Sequence, residues 1–118
     1  MEYKTVTITN DADALLCVLY KSYLEKRKNG VPKDEAKMFG NHEVIQSELI
    51  PKWSQADVKS TIGELHEAGV INTVYGDGLP VFVELLPAGI IGMENRFENN
   101  LKTLLDYMAK IKAVIPFL

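Results

Sequence analysis

The side chains that most often carry chemistry are sparse in this sequence and widely separated. Cys17 is the single cysteine, and His42 and His66 are the two histidines, so neither a metal-ligand spacing nor a Cys–His nucleophile pair is present. Gly76-Asp77-Gly78 could present amides to a phosphate, but it lies between two β-rich runs, which favours a hairpin turn. Cys17 falls within an apolar helical pattern, which favours a buried thiol over a reactive one. We therefore expect no enzymatic activity, no cofactor and no metal.

Basic side chains are the remaining candidates for binding, and most of them are concentrated in one segment. Residues 21–37 carry six basic and three acidic side chains, whereas residues 54–86 carry one basic residue against five acidic ones. Lys and Arg supply much of the affinity for nucleic acids through phosphate contacts, so the first segment is the patch that could face an anion. Lys26-Arg27-Lys28 also falls where positive charge stabilises a helix C-terminus, which is a purely structural explanation. The candidate nucleic-acid contacts are Lys26, Arg27, Lys28, Lys33, Lys37 and Lys59.

Length, charge and composition are those of a small globular protein. The chain has 118 residues, is 47% hydrophobic and carries a net charge of −3, which fits one domain over residues 1–118. The single cysteine excludes an intrachain disulfide and favours a reducing compartment. The N-terminus lacks the pattern of a secretion signal, and no window approaches the ~20 apolar residues of a membrane span. We expect a cytoplasmic protein that does not contact membranes.

The N-terminal half is predicted to contain one strand and three helical segments. Branching at Cβ favours a strand, and Asn side chains are good acceptors for the free amides at a helix start. Glycine commonly ends helices, and proline interrupts them. The predicted elements are an edge strand at Thr5–Thr9, a helix at Asp11–Lys28 capped by Asn10 and ended by Gly30, a short helical segment at Lys33–Phe39, and a helix that follows the cap residue Asn41.

A capped helix followed by a β-hairpin is the best specified part of the sequence. Ser54 and Asp57 have the spacing of a capping box, with Ser54 as the N-cap. Gly69 is placed to end this helix in a Schellman-type turn. Two β-rich runs follow, at residues 70–75 and 81–86, and the five residues between them include two glycines and a proline.

An apolar stripe predicts one long C-terminal helix, over about residues 88–114. Its apolar residues recur at alternating steps of four and three, which is the heptad pattern of helices that pack on a partner helix. Because Leu105 and Val114 widen the apolar face, we expect it to pack both on its own domain and on a second copy in a homodimer. The alternative is a helix folded entirely onto its own core. The predicted interface residues are Phe97, Leu101, Leu104, Met108, Ile111 and Ile115.

The order of these elements resembles the winged helix-turn-helix superfamily over about residues 11–95. Leu65-His66-Glu67-Ala68-Gly69-Val70-Ile71 is similar to the turn by which such domains leave their third helix and enter the wing. Leu86-Pro87-Ala88-Gly89-Ile90 resembles the exit from the wing into an added helix, as in short uncharacterised winged-helix proteins of Gram-positive bacteria and their phages. The resemblance implies an α+β, mostly helical fold, in which residues 11–87 form the winged-helix core. An N-terminal strand and a long C-terminal helix at 88–115 are added to it.

Two functions follow from these observations. The resemblance implies a small regulatory, DNA-associated protein in transcription, because the capped helix of this superfamily usually enters the major groove while the wing contacts phosphates. The acidic balance of residues 54–86 disfavours DNA and favours the alternative, a protein–protein interaction module that keeps the scaffold without binding DNA. The face of the capped helix opposite its apolar stripe is small and smooth, which suits either close approach by a partner or a solvated surface. Its residues are Ala56, Ser60, Gly63 and Glu67.

Overall fold

The computed structural model describes residues 8–113 and 115, and within them the chain is an α+β fold with six helices and a three-stranded antiparallel sheet. Residues 5–7 of the strand predicted at Thr5–Thr9 lie outside the described residues, and Ile8 and Thr9 are not in a strand. The elements are α1 (Asn10–Lys28), α2 (Lys33–Ala36), β1 (Met38–Gly40), α3 (His42–Leu49), α4 (Gln55–Glu67), β2 (Ile71–Gly76), β3 (Leu79–Leu85), α5 (Pro87–Phe97) and α6 (Leu101–Ile111).

Helix α1 is the centre of the fold. Every residue from 12 to 20 is buried, because α2, α3, α4 and α6 all contact this helix. The N-cap is Thr9 and not Asn10 as predicted, since Thr9 Oγ1 accepts a hydrogen bond from the Ala12 amide at 3.1 Å. The side chains of Thr9 and Asn10 can both accept such a bond. Thr9 is the cap because the helical backbone begins at Asn10. The predicted stop at Gly30 is confirmed by its positive φ of 86°.

The segment predicted as helical through Phe39 changes structure after one turn. Helix α2 ends at Ala36, and β1 pairs antiparallel with β3, so the prediction of a helix over Lys33–Phe39 is wrong in its second half. A helix this short is marginal without tertiary contacts. Strand pairing instead satisfies the backbone, because the Leu85 amide donates to the Lys37 carbonyl at 2.9 Å, and it places Phe39 in the core.

The sheet has the order β1-β3-β2, so β3 is central and β2 is an edge strand among the described residues. Asp77 and Gly78 both have positive φ, 54° and 76°, and they form a two-residue turn between Gly76 and Leu79. The predicted five-residue connection is therefore too long, since Leu79 and Pro80 belong to β3. Proline is tolerated there because β1 pairs with β3 only at Val83 and Glu84.

Side-chain caps fix the two helices before the hairpin, as the sequence predicts. Asn41 Oδ1 accepts from the Val44 amide at 2.9 Å, and Ser54 Oγ accepts from the Asp57 amide at 3.1 Å. The amide of Gln46 closes the turn between α3 and α4 by donating to two of its carbonyls, at 3.1 and 2.9 Å. The predicted Schellman turn at the end of α4 is also confirmed. Its two hydrogen bonds run from Gly69 N to His66 O and from Val70 N to Leu65 O.

The C-terminal region forms two helices, α5 and α6, where the sequence predicts one over residues 88–114. Glu98 and Asn99 both have positive φ, which ends α5, and Asn100 then caps α6. Tyr20 of α1 donates a hydrogen bond to Asn99 Oδ1 at 3.0 Å and so stabilises the break. The apolar stripe continues across the break because both helices bury the same side of the pattern, and spacing alone therefore could not reveal it.

Candidate functional site

Helix α4 and the β2–β3 hairpin lie side by side and form one candidate binding face. The Tyr75 ring meets the His66 ring edge-on, with 6.2 Å between their centroids. A Cβ atom on Gly63 would lie 3.9 Å from the Tyr75 hydroxyl, which is an ordinary contact distance. The small face of α4 therefore lies against the chain's own hairpin.

The acidic side chains of residues 54–86 are divided between separate surfaces. Glu64 and Glu67 line a groove beside Thr9, whose hydroxyl donates to Glu64 Oε1 at 2.7 Å. Glu84 Oε2 lies 3.7 Å from Lys37 Nζ. At about 100° per residue, Lys59 and His66 lie on one side of Gly63 around the helix axis, and Glu67 lies about 40° away on its other side. The net charge of the segment is therefore not the charge of the face between α4 and the hairpin.

The hairpin carries four exposed apolar side chains, which we call the hairpin patch: Val74, Tyr75, Leu79 and Val81. Their exposed fractions are 38–50%. Neither strand contains a basic residue, and β2 contains no charged residue and no proline. Charge and proline are the usual protection of an edge strand against pairing with another chain. The hairpin therefore has the surface of a protein contact more than that of a phosphate contact.

Four of the six predicted basic residues line one cleft. Lys26 is not among them, because its ammonium donates to the Met38 carbonyl at 2.8 Å and lies 4.4 Å from the centre of the Phe39 ring. Burial lowers the pKa of Lys26, as expected for an ammonium used inside the fold. Lys59 lies apart on α4. The residues in the cleft are Arg27, Lys28, Lys33 and Lys37.

The predicted interface residues of the C-terminal region contact the chain's own core. Three of them are at most 4% exposed, and the other three are half-buried and pack against the same core. Leu105, outside the stripe, is 41% exposed. A homodimer through this region stays a prediction. The fully buried residues are Phe97, Leu104 and Ile115, and the half-buried residues are Leu101, Met108 and Ile111.

A buried ionic cluster joins α1, α5 and α6, and the sequence patterns do not predict it. The Arg96 guanidinium donates to both carboxylate oxygens of Asp13, at 2.7 and 3.3 Å, and the Tyr107 hydroxyl donates to Asp13 Oδ2. The ion-pair side chains are each 3% exposed. Burial raises the pKa of Tyr107, and the hydrogen bond to Asp13 raises it further, so the hydroxyl keeps its proton. An acidic residue inside the apolar run of α1 is the signal that could have indicated a buried partner.

The cysteine and the histidines have structural surroundings. Cys17 is fully buried as predicted, and burial raises the pKa of its thiol. His42 is also buried, with Nδ1 3.2 Å from the Pro80 carbonyl oxygen. Among the residues that the structure describes, no three Cys, His, Asp or Glu side chains are grouped to hold a metal ion. No helix in that part of the chain has the length and apolar character needed to cross a bilayer.

Two surfaces are therefore candidate sites: the face formed by α4 with the hairpin patch, and the basic cleft at the end of α1. No protein-family model matches this sequence, and searches of curated proteins and of solved structures found no match.

Proposed function

We propose that this chain is a winged-helix protein that acts as a protein-interaction module through its hairpin patch. The order α1, β1, α3, α4, β2, β3 supports the winged-helix assignment, because β1 joins the hairpin as a third strand and α4 enters the hairpin through a glycine turn. The helices α5 and α6 are then additions after the wing.

The observation that carries this proposal is the exposed apolar surface of the hairpin. A wing that contacts DNA needs Lys or Arg for the phosphates, and β2 and β3 contain neither. Half of the exposed large apolar residues of the described chain lie on this one hairpin. Val74 and Tyr75 are consecutive in β2, so these side chains flank the free strand edge on both faces of the hairpin. Several exposed apolar side chains on one element typically mark protein contacts, whereas single ones are ordinary.

The partner is a second copy of this chain. Antiparallel pairing of two β2 strands about a twofold axis uses the free edge and brings two hairpin patches together. Such a contact is complementary by symmetry, so it needs no matching surface from another protein. The patch itself is uncharged, with Asp77 in the turn between its two strands, so two chains of net charge −3 meet there through uncharged side chains.

Lysine at Val74 and Val81 should abolish self-association. Both side chains are about half exposed, at 50% and 48%, so the substitutions leave the core intact and add positive charge to both copies at the contact. Light scattering after size exclusion should give twice the 13.2 kDa chain mass for the wild type at high concentration and the single-chain mass for the double variant.

Leu105→Lys is the matched control, because it adds the same charge at an exposed apolar residue of α6. It should leave the dimer intact. A dimer that is lost in Leu105→Lys and kept in the double variant would place the interface on the C-terminal region and overturn the hairpin contact. A single-chain mass for the wild type at every concentration overturns the second copy as the partner.

DNA association is a second candidate, and the distribution of charge around α4 favours it. Lys59 and His66 share one flank of α4, and His66 contacts Tyr75 of the hairpin, whereas Glu64 and Glu67 line the groove beside Thr9. A duplex approaching this face would therefore not meet the full acidic charge of the segment.

A labelled-duplex shift at low salt distinguishes the two functions, because non-specific binding is strongest there. A protein-interaction module should give no shift for the wild type, since one lysine on α4 provides few phosphate contacts. Lys110→Glu, an equal charge change at an exposed residue of α6, is the control for Lys59→Glu. A shift that Lys59→Glu removes and Lys110→Glu retains would instead establish DNA binding by α4.

A further inference from the structure

A cleft of about 550 Å³ lies between the C-terminal end of α1 and helix α5. One wall is basic: Arg27 and Lys28 come from the last turn of α1, and Lys33 and Lys37 come from α2 and the residue after it. Asp34 and Glu94 are the acidic residues in the lining, so the basic residues outnumber the acidic ones by four to two. The cleft therefore has a local excess of positive charge in a chain that is acidic overall.

Two of the four cations are not engaged within the fold. Lys37 pairs with Asp34 and Glu84, at 3.9 and 3.7 Å, and Arg27 donates to a backbone carbonyl at 3.1 Å. Lys28 and Lys33 are exposed, and neither has a carboxylate at ion-pairing distance among the described residues. Their ammonium groups are therefore available to an anion.

The wall that α5 contributes to the cleft is mainly apolar, and Glu94 is its one charged residue. Ile90 is 6% exposed, whereas Ile91 is 55% exposed, the highest value among the exposed large apolar side chains of the described chain. Pro87 also belongs to this wall. Cations on one wall and hydrocarbon on the other suit a ligand that has both an anionic group and an apolar body.

We infer that this cleft binds a small organic anion with an apolar body. Its carboxylate, sulfonate or phosphate contacts Lys28 and Lys33, and its hydrocarbon lies on Ile90 and Ile91. The volume falls in the range of about 300–1,000 Å³ that small-molecule sites occupy. This site is separate from the hairpin patch, so it does not depend on the proposed function.

A second cleft of about 550 Å³, between α1, α3 and α6, provides the internal comparison. Its cations are Lys21, Lys52 and Lys112, and its acidic residues are Glu25 and Glu48. Lys21 pairs with Glu25 at 3.4 Å. Because this cleft has nearly balanced charge, reversing two of its lysines makes a matched control.

The test uses two fluorescent probes with the same rings, 8-anilinonaphthalene-1-sulfonate and the uncharged N-phenyl-1-naphthylamine. Lys28→Glu with Lys33→Glu should weaken the sulfonate by about tenfold or more, as the loss of charge-assisted contacts implies, and leave the neutral probe almost unchanged. Ile91→Ser should weaken both probes. Lys52→Glu with Lys112→Glu should leave the affinities of both probes unchanged. Val74→Lys with Val81→Lys should also leave sulfonate binding intact.

Equal sulfonate affinity in the two double-lysine variants overturns the site, provided that amide NMR spectra show both proteins folded. If Lys28→Glu with Lys33→Glu weakens the binding of both probes equally, the lysines do not bind the anionic group, and this part of the inference is overturned. Octanoate and phosphatidylglycerol vesicles distinguish the sources of the anion. Displacement of the sulfonate by octanoate supports a soluble acid, and sedimentation with vesicles that requires Lys28 and Lys33 supports a lipid headgroup.

Discussion

Replacing Arg96 with methionine should lower the free energy of unfolding by about 3–5 kcal/mol, the usual result of leaving one partner of a buried ion pair alone. The substitution keeps most of the side-chain volume and leaves the carboxylate of the buried Asp13 with the Tyr107 hydroxyl as its remaining partner in the cluster. Urea unfolding followed by the fluorescence of Trp53, the single and buried tryptophan, measures the loss.

Lys102→Met is the matched control because Lys102 pairs with Asp106 at 3.0 Å on the surface, where both side chains are largely exposed. We expect a change within about 0.5 kcal/mol there. Tyr107→Phe removes one hydrogen bond to the same carboxylate and should fall between the two, at about 1–2 kcal/mol. This milder variant keeps the cluster testable if Arg96→Met does not fold. Equal effects of Arg96→Met and Lys102→Met would contradict a structural role for the cluster.

Local signals in the sequence predict the parts of the fold that depend on neighbouring residues. The caps at Asn41 and Ser54 need a side chain and an amide three residues later, and the stops at Gly30 and Gly69 need a residue that tolerates positive φ. Such features require no knowledge of the rest of the chain. The boundaries of α1 and α4 are therefore close to the predicted ones.

The wrong predictions concern elements whose structure depends on contacts between residues far apart in the sequence. Strand β1 exists because β3 pairs with it, and three residues contain too little pattern to indicate that. The break between α5 and α6 does have a local signal, since Asn99 and Asn100 are both asparagines, which are frequent at helix ends. The apolar stripe nevertheless favoured one continuous helix. Asp13 and Arg96 are 83 residues apart, so no periodicity could connect them.

The sequence predicts which residue types the candidate sites contain, but not which of those residues share a surface. The basic residues of segment 21–37 do gather in one cleft, yet Lys26 is used inside the fold, and the apolar wall comes from α5. The net charge of residues 54–86 counts Glu64, which lies beside Thr9, together with Glu84, which pairs with Lys37. A sum along the chain cannot show that these carboxylates lie on different surfaces.

Gly89→Ala should lower the free energy of unfolding by about 1–3 kcal/mol or more, because the added methyl group has no room. A Cβ atom at Gly89 would lie 2.3 Å from the Val70 carbonyl oxygen. That oxygen accepts a hydrogen bond from the Leu86 amide at 3.0 Å, so the backbone at the start of the hairpin is held in place. Helix α5 must therefore move away from the hairpin, and urea unfolding measures the loss.

Gly92→Ala, on the same helix, is the control that measures the effect of helix propensity on stability without the clash. A Cβ atom there meets nothing within 4 Å, so the substitution should stabilise the protein by about 0.5–1 kcal/mol, the usual advantage of alanine over glycine in a helix. Similar stabilisation by both variants would contradict the close contact at Gly89. Because α5 also provides the apolar wall of the basic cleft, a displaced helix in Gly89→Ala should weaken the sulfonate and neutral probes together, whereas Gly92→Ala should leave both unchanged.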